Sequence, residues 1–322
     1  MTDLAIVIVA WNVRALLQRC LHSIEASLAG SGIDYTIIVV DNASSDGTAA
    51  LLRATFPQVR LIEPGGNLGF AGGNNRALRQ LLADDTPYVL LLNPDTEVVG
   101  DAIPCLLRWL AARPELVAVG PQLRYADGSA QPTRRRFPSR ASLFWESTIL
   151  ERRWPANRWA QTYRCADTPD DVAQPVDWLV GAALLVRAAA IRRAGLLDER
   201  FFLYSEELEW EYRLQQAPRV AASRERPPRQ SVIWYLPDAV VIHHEGKSSA
   251  QVPAQRQINF NRSKLLLARM WYGWRFARLL RAFLRLSFAY ELAVEATKLL
   301  LRHRPSLRRQ RIAVYWQVLR EL

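Results

Sequence analysis

Cysteine is scarce in this chain. Cys20, Cys105 and Cys165 are odd in number, far apart and never in CxxC spacing, which argues against a disulfide framework or a structural zinc site. A reducing cytoplasm suits such a chain. A signal peptide is not expected either, because Met1-Thr2-Asp3 runs straight into an apolar strand pattern without a basic stretch or a small-residue cleavage site. No uncharged apolar run approaches the ~20 residues needed to span a bilayer. The turn Ala10-Trp11-Asn12 has none of the glycines of GxGxxG, which disfavours a hydride-transfer enzyme that cradles pyrophosphate on its first helix. No recognised nucleic-acid-binding module is present, so nucleic acid is not expected as a partner.

Half of the 322 residues are apolar, enough for a substantial core. The charge is unevenly placed. Residues 261–322 carry 14 Lys+Arg against Glu291, Glu295 and Glu321, which accounts for the entire net +11 and leaves 28 groups of each sign in the first 260 residues. All the excess sits in the tail, which implies a local anionic partner such as a membrane surface or nucleic acid. The tail's aromatics precede its basic helix rather than interleaving through it, which weighs against single-stranded nucleic acid.

Residues 4–10 (Leu-Ala-Ile-Val-Ile-Val-Ala) predict a strand buried on both faces of a parallel sheet. Leu16, Leu17, Leu21, Ile24 and Leu28 recur at helical spacing, and residues 35–40 predict a second strand ending on Asp41. A helix opened by Asp46-Gly47, a strand at 59–62, a helix at 74–82 and a strand at 88–92 complete a doubly wound nucleotide-binding sheet. Beyond it come a helix at 101–111 and a short strand at 116–119. Residues 121–175 have no sustained period and read as a variable, acceptor-facing region. Order returns at 176–186. Residues 217–230 read as an exposed Arg/Pro-rich loop, and 232–243 as two short strands around Pro237-Asp238. From Val252 the chain is helical, with Arg278, Arg281 and Arg285 on one face and Leu279, Leu280, Phe283, Leu284 and Leu286 facing away. That pattern fits a helix lying in a membrane interface or one packed on the core, and electrostatics favours the membrane.

Five segments carry chemistry. Asp95, in Leu91-Leu92-Asn93-Pro94-Asp95, follows a buried strand at the edge where open sheets bind ligands, and its carboxylate can hold Mg²⁺ or Mn²⁺. Taken alone, the turn chemistry of Asn-Pro-Asp would explain it. Asp41, at the end of strand two, can accept from a ribose hydroxyl or a base N–H. The Gly65–Arg76 stretch combines glycines, which let backbone approach a ligand, with asparagines, of which Asn74 or Asn75 can cap the following helix. The stretch from Asp198 to Trp210 mixes carboxylates, Glu206 and Glu207 among them, with aromatics, and one of the carboxylates is a credible general base, while Glu209 and Glu211 also suit the positive end of a helix dipole. His243-His244 could supply a metal ligand, and Lys247 could face phosphate.

In this order the segments resemble the family 2 glycosyltransferases, particularly bacterial rhamnosyltransferase-like members that build surface polysaccharides. The match runs from Ile6 to about Ser249. The resemblance implies an α/β GT-A fold, a Rossmann-like and mostly parallel sheet flanked by helices, over residues 1–250. Residues 251–322 would be a basic amphipathic helical extension that associates with the membrane. It implies that Trp11, Asn12 and Asp41 surround the nucleotide, and that Asn67, Gly69, Phe70 and Asn74 to Arg76 support the diphosphate and sugar. Asn93-Pro94-Asp95 looks like the family's variant of DxD, so Asp95 carries Mg²⁺ or Mn²⁺ and Asn93 assists. Gly181 matches the small residue beside the sugar. His243 resembles the late histidine near metal and diphosphate, with His244 in reserve. Where relatives read Glu-Asp, with Asp as base, this chain has Glu206-Glu207. Either the base at Glu207 is one methylene longer or the enzyme is altered.

The activity so implied is an inverting, metal-dependent sugar transfer. The donor is a dTDP- or UDP-linked sugar, with dTDP-rhamnose the best match and a UDP-hexose or UDP-galactofuranose the alternatives. The acceptor is a lipid-diphosphate-linked saccharide, reached from the cytoplasmic leaflet by a peripheral enzyme. The rival is a degenerate, non-catalytic relative that binds anionic lipid or nucleic acid.

Overall fold

A computed structural model describes residues 2–216, 232–246 and 251–322. Lys247 and the Arg/Pro-rich stretch 217–230 lie outside the described residues. The chain opens with β1 (Leu4–Ala10), α1 (Arg14–Leu28), β2 (Tyr35–Asp41), α2 (Thr48–Thr55), β3 (Arg60–Ile62), α3 (Gly69–Leu81) and β4 (Tyr88–Leu92). It continues through β5 (Thr96–Val99), α4 (Ala102–Ala111), β6 (Ala118–Arg124) and β7 (Arg134–Arg135). Three short helices follow, α5 (Arg140–Trp145), α6 (Ile149–Arg153) and α7 (Arg158–Tyr163). Next come β8 (Gln174–Val176), β9 (Trp178–Leu179), β10 (Ala183–Arg187), α8 (Ala188–Ala194) and α9 (Glu206–Gln216). The last elements are β11 (Ile233–His243), α10 (Pro253–Leu300) and α11 (Pro305–Glu321).

Among the described residues the main sheet has the order β3-β2-β1-β4-β10-β6-β11-β5, with β8 beside β11. β1 lies between β2 and β4, parallel to both, because its uninterrupted apolar run can be covered on both faces. One core layer packs α1 and α4 on the sheet through Leu17, Leu21, Ile24, Ile103 and Leu106, and the other packs α3, α8 and α9 through Ala77, Leu78, Ile191 and Trp210. β10 enters antiparallel to β4 and to β6, so the sheet is parallel at the β3-to-β4 end and mixed beyond it. The C-terminal ends of β1, β2 and β4 meet at one edge, the edge at which such sheets bind ligands.

Several local expectations change. α3 begins at Gly69 with Leu68 as its N-cap, so Asn74 and Asn75 lie inside the helix and cap nothing. The glycines there permit close packing. Gly69 has φ +71°, and a Cβ on it would fall 2.1 Å from the Phe202 carbonyl, while one on Gly73 would fall 2.7 Å from Val9. Residues 233–243 form one strand, not two, because a register shift between Leu236 and Val240 absorbs Pro237, which has no N–H to donate. β5, too short to show a period in sequence, pairs with β11.

The chain divides into two compact units. The first is Met1–Phe137, Arg164–Phe202 and Glu206–Ser248, and the second is Pro138–Tyr163, Leu203–Ser205 and Ser249–Leu322. Residues 138–163, which the sequence reading included in the 1–250 domain, cluster with the C-terminal helices. Within the second unit, α10 is broken at Gly273 (φ +84°, ψ 169°). Leu143, Ile258, Leu265, Leu280, Leu284 and Val318 form its core. Lys264 is buried there, donating to the Glu146 carbonyl at 2.6 Å, and Glu295 pairs with Arg308 at 2.7 Å.

Candidate active site

After β4 the chain turns through Asn93-Pro94-Asp95 into β5. The Asn93 N–H donates to the Ala182 carbonyl at 2.8 Å, and Thr96 Oγ1 donates to the Asn93 carbonyl at 2.7 Å. Beneath the turn lies Cys20 of α1, with Sγ 3.5 Å from Thr96 Oγ1. Burial, with a smaller push from the Asp95 charge, raises this thiol to about 12, so it packs the turn and is no nucleophile. Antiparallel pairing sets His243 opposite Thr96, and the His244 N–H donates to the Asp95 carbonyl at 2.9 Å. His243 Nε2 therefore comes within 3.4 Å of Asp95 Oδ1, both residues 5 % exposed, and 3.5 Å from Asn93 Nδ2. Strand alternation sends His244 the other way, 2.6 Å from Glu97. Of the two histidines it is His243, not the reserve His244, whose ring lies beside Asp95.

One carboxylate and one imidazole fit a divalent cation that takes its remaining ligands from phosphate and water. Among the described residues no group of three or more His, Cys, Asp or Glu side chains converges in a ligating cluster. Asp95 and His243 would hold such a cation, with Asn93 beside them.

The nucleotide side is built at the ends of β1 and β2. Asn12, at φ 52°, donates its N–H to Ser44 Oγ at 2.9 Å and accepts from the Ser45 N–H at 2.7 Å. Asp41 accepts from the Ser44 N–H at 3.0 Å. Trp11, half-buried, directly follows β1. Asn42 Nδ2 donates to the Gly69 carbonyl at 2.9 Å, and its buried Oδ1 has no hydrogen-bond partner among the described residues. Asn67 accepts from the Gly69 N–H at 2.9 Å, and the Phe70 N–H donates to the Phe202 carbonyl at 2.9 Å. Two asparagines act as fasteners: Asn74 donates to the Phe70 carbonyl, and Asn75 bonds both ways with Leu197. Arg76, exposed on α3, lies in the field of Glu199.

The third corner is α9. Glu207 lies along Gly181, where an added Cβ would sit 3.2 Å from Glu207 Cβ and 3.3 Å from its Cγ. The bare glycine makes room for the glutamate's extra methylene. Glu206 and Glu211 are buried, and Glu211 Oε2 accepts from the Leu179 N–H at 3.0 Å. Desolvation, then the Glu207 charge, pushes the Glu206 carboxyl well above the carboxylate range, and burial does the same to Glu211. Both favour the protonated acid. Just before α9, Tyr204 and Ser205 hold left-handed backbone at φ 72° and 65°, strain of the kind found at functional sites.

The model of the family described as "Glycosyl transferase family 2" matches residues 5–167. The chain is also 33% identical over 323 residues to the N-acetylglucosaminyl-diphospho-decaprenol L-rhamnosyltransferase of Mycobacterium tuberculosis, covering 97% of this chain and 96% of that one. The chain belongs to glycosyl transferase family 2. Among solved structures this glycosyltransferase is similar in fold to a Pyrobaculum calidifontis mannosyltransferase in complex with GDP-Man and Mn²⁺. The TM-score is 0.52 at 15% identity, over 99% of this chain and 85% of that one. It is similar also to GalNAc-T7 with UDP, GalNAc and Mn²⁺, with a TM-score of 0.53 at 14% identity over 75% of this chain and 43% of that one. The GT-A fold expected from the sequence is the fold found. Sequence reasoning about this glycosyltransferase missed Asn42, Phe202, Glu211 and Gln131. Gln131 sits in the stretch that shows no period, and Glu211 reads as an ordinary helix carboxylate.

Proposed function

We propose that this glycosyltransferase moves L-rhamnose from dTDP-rhamnose to a lipid-diphosphate-linked saccharide, with inversion, using Mg²⁺ or Mn²⁺ at Asp95 and His243. One observation carries the reading. The Asn93 N–H bonds to the Ala182 carbonyl while the adjacent Gly181 lies against Glu207, so a metal-competent pair and a carboxylate base share one sheet edge. The acceptor hydroxyl gives its proton to Glu207 as its oxygen bonds to the anomeric carbon. The bond from that carbon to phosphate oxygen breaks on the opposite face, and its electron pair leaves with the nucleotide diphosphate. When bound, the cation neutralises charge developing on the diphosphate. The longer glutamate arm is compatible with base catalysis because Gly181 accommodates it.

The donor and acceptor follow from the mycobacterial relative, whose name states an L-rhamnosyl transfer to N-acetylglucosaminyl-diphospho-decaprenol. Mn²⁺ in both solved neighbours supports the metal. The basic, partly apolar face of α10 supports docking as a peripheral protein on the cytoplasmic face of an anionic membrane.

The test is nucleotide release from dTDP-rhamnose, UDP-galactose and UDP-galactofuranose, each with a lipid-diphosphate GlcNAc acceptor and Mg²⁺ or Mn²⁺. We expect dTDP-rhamnose to be preferred, EDTA to abolish turnover, and Asp95→Ala to lower it on the order of a thousandfold. Glu207→Gln should lower kcat by roughly a hundredfold or more. Preference for a UDP sugar overturns the donor, full turnover in EDTA overturns the metal, and an active Glu207→Gln overturns the base.

A further inference from the structure

We propose that Gln131, anchored by Glu245, is a positioning residue that fixes the His243 ring with its proton on Nδ1, so that Nε2 faces Asp95 as a ligand for the divalent cation. The proposal rests on the reading of Asp95 and His243 as the metal pair. Gln131 is buried, and its own N–H donates to the Leu123 carbonyl at 2.9 Å, which fixes its backbone. Its side chain bridges two groups: Nε2 lies 3.0 Å from Glu245 Oε2, and Oε1 lies 3.0 Å from His243 Nδ1.

The chemistry of these groups fixes the direction of each bond. A carboxylate only accepts, so Glu245 requires the NH₂ end of the Gln131 amide. The carbonyl end then faces His243, and a carbonyl also only accepts, so the hydrogen must sit on Nδ1. A neutral imidazole holds one ring hydrogen, and its lone pair is left on Nε2, 3.4 Å from Asp95 Oδ1. A lone pair and a carboxylate facing each other repel unless a cation or proton joins them. Glu245, Gln131, His243 and Asp95 thus form one polarised row, which a cation between Nε2 and Oδ1 would complete. Metal-ligating histidines usually donate their other ring N–H in this way, and loss of that partner typically costs ~10–100-fold in metal affinity.

Two readouts on the full-length protein test the role. Mn²⁺ affinity is measured by electron paramagnetic resonance, and the ring tautomer is read from ¹⁵N resonances at pH 8. The chain has only four histidines, so His243 can be assigned by its loss in His243→Asn. Gln131→Leu should weaken Mn²⁺ binding by ~10–100-fold and leave His243 a mixture of tautomers. The paired swap Gln131→Glu with Glu245→Gln keeps an acceptor toward Nδ1 and a donor between positions 131 and 245, so it should restore both readouts. If Gln131→Leu fails to fold, Glu245→Gln alone decides, because it frees the amide to turn and should shift the same readouts in the same direction. A folded Gln131→Leu that keeps the Nδ1 proton, or binds Mn²⁺ within twofold of wild type, overturns the proposal. Wild-type protein that binds no Mn²⁺ overturns the metal reading itself and with it the ligand half of this proposal, while the tautomer is still decided by the ring resonances.

Discussion

Position 181 has no side chain, and the space is occupied by Glu207. An alanine Cβ there would meet Glu207 Cβ at 3.2 Å and Cγ at 3.3 Å, closer than ordinary contact, so the glutamate must give way by a few tenths of an ångström. Glu207 is only half-buried and can move, so the fold should tolerate the change. Catalysis should not, because a base displaced from its proton by a fraction of an ångström loses much of its advantage. Gly181→Ala is expected to lower kcat by about tenfold to a hundredfold with melting temperature near that of wild type. Steady-state kinetics beside thermal unfolding checks this, and a variant with full kcat would place Glu207 away from the reaction. Gly69 presents the opposite case. A Cβ there would lie 2.1 Å from a backbone carbonyl at φ +71°, so Gly69→Ala should show its damage in stability first.

At the scale of elements, α9 carries a pH dependence. Burial raises the folded-state carboxyls of Glu206 and Glu211 above their unfolded values. A group raised in this way contributes stability that is present below the unfolded pKa of about 4.3 and is lost as pH rises through the folded pKa. Wild type should therefore lose stability from about pH 5 upward, at no more than ~1.4 kcal/mol per pH unit per group. Glu211→Gln keeps a carbonyl to accept from the Leu179 N–H and should flatten that decline. Melting curves between pH 5 and 9 decide, and parallel declines in wild type and variant would remove Glu211 from the account.

α9 also shows where sequence was readable. Its carboxylate run marked a candidate base, but nothing local distinguished Glu207 beside Gly181 from Glu211 on the Leu179 amide, since both partners come from β9 and the turn after it. Strands β1, β2 and β4 were legible because burial on both faces writes itself as unbroken apolar runs. The start of α3 was not, because glycines that permit close packing on Val9 and Phe202 look like loop glycines until the partners are known. Asp95 and His243 could be named separately. Their approach to 3.4 Å depended on the register of β5 and β11, a long-range fact.

At the scale of the whole molecule, the net charge of +11 resides in residues 261–322, most of it on α10 and α11. The second unit shows how the tail divides its apolar residues. Leu280 and Leu284, which the sequence placed among the apolar residues facing away from the arginines, are buried in that unit's core. Leu279 and Leu286 stay 61% and 71% exposed, near Trp274, Tyr290 and the exposed Arg278, Arg281 and Arg285. Arg278 lies 4.8 Å above the Trp274 ring. Apolar side chains and indole interleaved with arginine suit the depth between headgroups and acyl chains, where leucine and tryptophan insert and guanidinium groups meet phosphate. No helix among the described residues is long and apolar enough to cross a membrane. Each basic residue near an anionic surface is worth ~1 kcal/mol. Arg278→Ser, Arg281→Ser and Arg285→Ser together should therefore weaken partitioning onto phosphatidylglycerol-containing liposomes on the order of a hundredfold. Turnover of a short, water-soluble acceptor should be unchanged, since the three arginines belong to the second unit and the groups around Asp95 and Glu207 to the first. Flotation at low and at 0.5 M salt separates the contributions, because only the electrostatic part is screened. Undiminished binding of the triple variant at low salt would show that the arginines do not face the lipid.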